Sequence, residues 1–254
     1  MRDFTLNIYK ELLTTIIDFG YDIIPLEDYL SDNNLGDKLI IIRHDVDRKP
    51  FNALKMAKLE NELGIKANYY FRIVKKSYDE NIIKEVVKLG HEIGYHYEDL
   101  SLTKGNFEKA IKSFEENLNK FRQFYSVKTI CMHGSPLSKY DNKDLWERYD
   151  YRDYGIIGEP YFDLDFNKIL YLTDTGRRWN GTFVSIRDKV NTQFKYNFTT
   201  TDEMISALKK LELSNQIMIN IHPQRWNDDI WPWMKELVWQ NAKNVVKFMF
   251  RKWR

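Results

Sequence analysis

The chain has 254 residues, with 39 Lys and Arg against 37 Asp and Glu for a net charge of +2. That length suits one large α/β domain, and the near-neutral balance offers no global field for nucleic acid. A single cysteine, Cys131, excludes an intramolecular disulfide and a Cys-based zinc site.

Residues 1–20, interrupted by Asp3, Glu11 and Asp18, read as an amphipathic helix rather than a leader peptide, and 1–38 is expected to be a helical segment packed on the domain that follows. Leu39-Ile40-Ile41-Ile42 is an apolar run of the kind buried on both faces of a parallel sheet. A helical period over 53–63 stops at Gly64, a natural C-terminal cap. A second strand is predicted at 68–74, a helix at 82–89 closed by Gly90, and a third strand at 92–97. A long amphipathic helix at 107–124 and a fourth strand at 129–133 follow. Between 149 and 197 the pattern is less regular, with strands expected at 169–173 and 182–186. Thr200 and Glu203 form a capping-box signature opening a helix through 211; a strand at 216–221 and a helix from Ile230 complete the chain. No run approaches a membrane span, so the cytoplasm is the default location. Strands alternating with helices imply parallel βαβ units, and the absence of a Pro/Gly/Ser-rich linker favours one domain, a barrel or a doubly wound sheet.

The chemistry concentrates at strand ends. All five histidines, His44, His91, His96, His133 and His222, sit in or beside predicted strands, where parallel folds gather ligand and catalytic groups. Arg43-His44-Asp45-Val46-Asp47 places two carboxylates at i, i+2, which point to one side if the strand continues. Like charges so placed want a cation, either a metal or an arginine; helix capping with Arg43 or Arg48 as partner is the alternative. Gly90-His91-Glu92-Ile93-Gly94-Tyr95-His96-Tyr97-Glu98-Asp99 alternates Glu92, Gly94 and His96 against Ile93, Tyr95 and Tyr97, with Gly94 allowing a backbone or ligand to come close. Histidine with carboxylates suits a divalent ion such as Zn, Mn, Co or Fe; structural histidines are the alternative. His133-Gly134-Ser135-Pro136 and Ile221-His222-Pro223 each end a strand in a turn.

These residues resemble the first, second and last motifs of the polysaccharide deacetylases, carbohydrate esterase family four or NodB-homology proteins. The likeness runs from about Leu39 to Pro223 and is greatest to a divergent branch with an Arg-His-Asp-Val-Asp first motif, linked to surface-polysaccharide biosynthesis. The resemblance implies a distorted (β/α) barrel of about seven parallel strands over 39–254. It also implies a metal-dependent hydrolase removing an N-acetyl group from an amino sugar or glycan. By position, Asp45 matches the catalytic base and Asp47 a metal ligand. The family's two acidic residues are adjacent, whereas Val46 intervenes here, so the roles can be exchanged. His96 matches the first histidine ligand, but the second falls on Leu100. His133 is the first choice to complete the site, ahead of Glu98 and His91. The implied cofactor is a divalent ion, Zn first, with Co, Mn, Fe or Ni as others. His222 matches the general acid, with Asp174 as its orienting carboxylate. An inactive carbohydrate-binding relative, or a hydrolase of a non-sugar C–N bond, are the competing outcomes.

Substrate contacts are sought among Tyr97, Glu98, Arg177, Trp179 and Trp226, together with Tyr161. For the aromatic residues core packing is the favoured role, and for Arg177 and Arg178 an exposed pair. The stretch 231–254 mixes Trp231, Trp233, Trp239, Phe248, Phe250 and Trp253 with six Lys and Arg. Such a helix either packs across the barrel or makes a weak contact with a membrane surface.

Overall fold

The computed structural model describes residues 2–180 and 187–252, with side chains to residue 244. The strand expected at 182–186 and the side chains of Phe248, Phe250 and Trp253 lie outside the described residues.

Among the described residues seven strands form one all-parallel sheet: β1 (Asp22–Ile23), β2 (Leu39–Val46), β3 (Asn68–Phe71), β4 (Glu92–Tyr97), β5 (Ile130–Met132), β6 (Leu170–Thr173) and β7 (Gln216–Ile221). Their order is β5-β4-β3-β2-β7-β6, with β1 alongside the start of β2. β5 and β6, at the two ends, do not pair with each other among the described residues, so the barrel is incomplete. Beside β5 the chain at 157–159 extends the surface through Ile157 N–H to the Lys128 carbonyl (2.8 Å) and Ile130 N–H to the Gly158 carbonyl (3.1 Å).

The main helices are α1 (Leu6–Asp18), α2 (Leu26–Ser31), α3 (Pro50–Glu62), α4 (Glu80–Lys88), α5 (Asp99–Leu102), α6 (Phe107–Phe121), α7 (Pro160–Asp163), α8 (Thr201–Lys209) and α9 (Ile230–Lys252). Their starts follow from local chemistry. Thr5, Asp79 and Asn106 cap α1, α4 and α6, and Thr200 with Glu203 makes the full capping box of α8. Gly64 and Gly90 take φ of +72° and +85° after α3 and α4, where a side chain would be strained. Residues 1–38 are not helical alone, since β1 joins the sheet through Asp22–Leu39 and Ile23–Ile40 pairing while α1 packs on α3 and α8.

Period-two alternation sorts the core. On β2, Ile40, Ile42 and Val46 join the layer between sheet and helices, together with Ile93, Tyr95, Tyr97, Ile217, Ile219 and Ile221. Ile41, Tyr70, Cys131 and Met218 fill the barrel interior with Leu26, Leu164, Phe166 and Ile169. Gly94 serves this interior. A Cβ there would overlap the Tyr70 ring and lie 2.9 Å from the Thr129 carbonyl oxygen, so the glycine makes room for a side chain and not for a ligand.

Candidate active site

The carboxyl ends of β2, β4, β5 and β7 meet around a cavity of ≈ 110 Å³, lined by Asp45, Asp47, His96, His133 and His222 with Tyr161, Thr175, Arg187, Asp188 and Arg225. Each of the three histidines arrives on a different strand end, which is why apolar strands followed by a polar residue are the pattern that finds the site.

Asp45 is the last inward-facing residue of β2. Its Oδ1 accepts from Arg43 Nε (2.9 Å), and its Oδ2 accepts from Arg43 Nη2 (2.7 Å) and Asn220 Nδ2 (3.1 Å). Burial alone would raise this carboxyl, but the Arg43 guanidinium and His96 override it and hold Asp45 well below the usual carboxylate range. It is ionised and fixed in direction.

Asp47 sits just past the strand. Its Oδ2 accepts from Gln224 Nε2 (3.1 Å), while its buried Oδ1 has no hydrogen-bond partner among the described residues. That orphaned oxygen lies 3.7 Å from His96 Nε2 and 3.4 Å from His133 Nε2. One ligand atom from each of Asp47, His96 and His133 falls within 4.8 Å of the others, a spacing fit for one ion. Both imidazoles are oriented by their other nitrogen: His96 Nδ1 lies 2.9 Å from the Cys131 carbonyl oxygen and His133 Nδ1 2.9 Å from Glu98 Oε2. Burial lowers His96 to about 4 against the opposing pull of Asp45, which leaves it neutral and able to ligate at neutral pH. A carboxylate oxygen without a donor, facing two oriented imidazoles, fits a divalent cation. A second group, Asp45, His96 and Cys131, is equally close, but Asp45 is committed to Arg43 and burial pushes the Cys131 thiol up.

His222 ends β7 on the other side of the cavity. Its Nδ1 is 2.6 Å from Asp174 Oδ1, and its backbone N–H donates to Asp174 Oδ2 at 3.0 Å. Trp226 Nε1 also donates to Asp174 Oδ2 (2.9 Å), and Arg225 Nη1 donates to Oδ1. Against the rise that burial would cause, Arg225 and His222 lower the Asp174 carboxyl. With Nδ1 engaged by Asp174, the remaining ring nitrogen of His222 is the one free to exchange a proton in the cavity.

Tyr97, Trp179 and Trp226 are core residues, in line with the role favoured for them, whereas the exposure expected of Arg177 needs correction. Tyr97 faces the helices, in edge contact with Phe114 and Trp146 at 6.0 and 5.6 Å, and cannot reach a sugar. Trp179 is buried and donates from Nε1 to Thr201 Oγ1 (3.0 Å); Trp226 is buried as the Asp174 donor. Arg177 is buried as well, its Nη1 on the Arg225 carbonyl oxygen (3.0 Å) and its guanidinium over Phe4 and Trp233. Glu98 holds His133 and pairs with Arg72 Nε (2.8 Å), so it supports a ligand candidate instead of meeting substrate. Leu100 lies in the core on α5, away from the cavity lining. His91 is on the far face, with Nε2 2.9 Å from the Ala57 carbonyl oxygen. His44 is on that face too, Nε2 2.6 Å from Glu60 Oε1. Of the aromatic candidates, Tyr161 alone lines the cavity among the described residues, its hydroxyl donating to Asp188 Oδ1 (2.7 Å).

Arg187, Asp188 and Arg225 were not foreseen. Arg225 lies three residues beyond His222, a short-range signal, whereas Arg187 and Asp188 belong to the irregular stretch, where no periodicity marks them.

No family model and no curated relative matches the chain. Solved structures similar to it include the peptidoglycan deacetylase PdaC from Bacillus subtilis, at 13% identity and a TM-score of 0.41, covering 87% of this chain and 100% of that one. Bacillus subtilis PdaA, a family 4 carbohydrate esterase, is 12% identical with a TM-score of 0.43 over 95% of this chain and 90% of its own. The Xyl-CE4 domain of a multidomain xylanase from the hindgut metagenome of Trinervitermes trinervoides is 13% identical with a TM-score of 0.40, covering 83% and 85%.

Proposed function

We propose that this chain is a divalent-metal-dependent hydrolase that removes an N-acetyl group from an amino sugar or glycan. The observation that carries this is the meeting, around one cavity, of an Asp47–His96–His133 donor set, the ionised Asp45 and the His222–Asp174 pair. The motif likeness of 41–47, 90–96 and the strand ending at His222 points the same way, and to surface-polysaccharide precursors as the substrate source.

Asp47, His96 and His133 would hold the ion, zinc being the best match to two imidazoles and a carboxylate, with Co, Mn, Fe or Ni suited to the same donors. When bound, the ion supplies Lewis acidity and brings the pKa of a coordinated water towards about 7. Asp45 takes the proton of the attacking water, its direction set by Arg43 and Asn220. His222, with Asp174 holding Nδ1, gives a proton to the departing amine, without which an amide leaves poorly. The cavity of ≈ 110 Å³ is far below the roughly 300–1,000 Å³ of pockets that enclose a whole ligand, so it suits an acetamido group with the sugar ring at its mouth.

Metal content of the purified protein, followed by acetate release from a panel of nucleotide-linked and polymeric acetylated sugars, tests this. Stoichiometric metal with acetate release is the expected result. Substoichiometric metal under all conditions indicates a carbohydrate-binding relative without activity, while bound metal and no acetate indicates another C–N bond as substrate.

A further inference from the structure

The amphipathic α9 has two faces with different fates. Its inner face is pinned to the body. Trp233 Nε1 donates to the Asp3 carbonyl (2.6 Å), Glu236 accepts from Arg48 Nη2 (2.7 Å), and Asn244 Nδ2 donates to the Gly176 carbonyl (3.0 Å). The outer face carries Trp231, Met234, Val238 and Trp239, with exposures of 77%, 43%, 67% and 54%, beside Lys235 and Ala242 in one apolar trough. Two exposed tryptophans with an exposed Val and Met at helical spacing form a stripe that water does not favour.

Charge selects what covers it. The last 25 residues hold six of the 39 Lys and Arg but one of the 37 Asp and Glu, so this segment is at +5 while residues 1–229 sum to −3. The one acidic residue, Glu236, is buried and paired with Arg48 on the inner face. A second copy docking by the same stripe would bring two such cationic segments together. We infer that the outer face of α9 docks the protein on an anionic lipid surface, with Trp231 and Trp239 at the headgroup level and the net positive charge of the segment drawn to the lipid charge. No helix among the described residues is long and apolar enough to cross a membrane, so α9 lies on the surface. This inference stands independently of the hydrolase chemistry.

Full-length protein is co-sedimented with vesicles of phosphatidylcholine alone and of phosphatidylcholine mixed with phosphatidylglycerol, at low and high salt, while tryptophan emission is recorded. Binding confined to the phosphatidylglycerol vesicles, weakened by salt and accompanied by a blue shift, is expected. The Trp231→Ser/Trp239→Ser variant should lose at least about tenfold in vesicle affinity with an unchanged melting temperature. Val238→Glu, a single exposed change on the same stripe, should do likewise. The proposal is overturned by no binding to the anionic vesicles, or by equal binding of both variants. It is also overturned by a concentration-dependent dimer that Val238→Glu dissociates, since the stripe would then belong to a second copy.

Discussion

Replacing Asp45 and Asp47 by asparagine, one at a time, separates two jobs assigned to neighbouring carboxylates. Asp45 is buried and both its oxygens accept from Arg43, whose own side chain is 1% exposed. Asparagine at 45 leaves a buried guanidinium without its anion, and breaking such a pair from one side costs about 3–5 kcal/mol. Against a total of about 5–15 kcal/mol, and at about 2–4 °C per kcal/mol for a chain of this size, the metal-free melting temperature should fall by roughly 6–20 °C. The lower end is expected, because Asn220 and the Tyr161 hydroxyl remain beside the site. Asp45 is depressed below its unfolded value, so its contribution is present above about pH 4 and the gap to Asp45→Asn should narrow below that. Among the described residues Asp47 accepts one side-chain hydrogen bond, from Gln224 at Oδ2. Against the rise that burial would cause, His133, His222 and His96 hold its carboxyl low, but it has no guanidinium paired to both oxygens, so Asp47→Asn should lower the metal-free melt by less than Asp45→Asn does. Metal retention should divide the other way, kept by Asp45→Asn without turnover and lost by Asp47→Asn. Thermal melts after chelation, metal analysis after dialysis and acetate release read all three. Metal lost from Asp45→Asn and kept by Asp47→Asn would refute the division of roles, and an unchanged melt for Asp45→Asn would refute the buried-pair account.

Burial pushes Glu92 up to about 8, so it folds as a protonated acid, whose stabilisation is intact below about pH 4.5 and is lost as pH rises towards 8. Glu92→Gln should therefore gain on wild type as pH rises from 4.5 towards 8 in denaturant titrations; a pH-independent difference speaks against it. Gly94→Ala drives a methyl into the Tyr70 ring and should destabilise by about 1–3 kcal/mol or more. Tyr70→Ala in the same chain should return part of that loss, and strictly additive losses would clear Tyr70 as the obstacle. Asp174→Asn should lower turnover by about 10²–10⁴ with metal content unchanged, because His222 loses the group that fixes its proton. Undiminished turnover removes His222 from the acid role.

The strands were legible where an apolar run meets a sharp polar boundary, and the limits of β4 and β7 agree with the sequence expectation. β2 runs to Val46, beyond the apolar run, because Arg43, His44 and Asp45 continue the ladder as buried residues with buried partners. Nothing in composition announces that Glu60, sixteen residues later on α3, waits for His44. For that reason His44 and His91 look like site residues in the sequence, although they face the helices. The ligand candidate replacing Leu100 comes from β5, a long-range event set by β4–β5 pairing of Tyr97 with Met132. Trp179 and Trp226 fill the core, the role favoured for them from the sequence, but that their indole N–H groups meet Thr201 and Asp174 is a long-range fact with no local signal.

The alternation along β2 has a bearing on how this chain can change. Arg43 and Asp45 look to the cavity side while His44 looks towards Glu60, so parity of position decides which side chain faces the cavity. Dropping or adding one residue between 39 and 46 would exchange an acid for an imidazole on the cavity side and strand Glu60 without its partner, a change the loops around the strand would not impose.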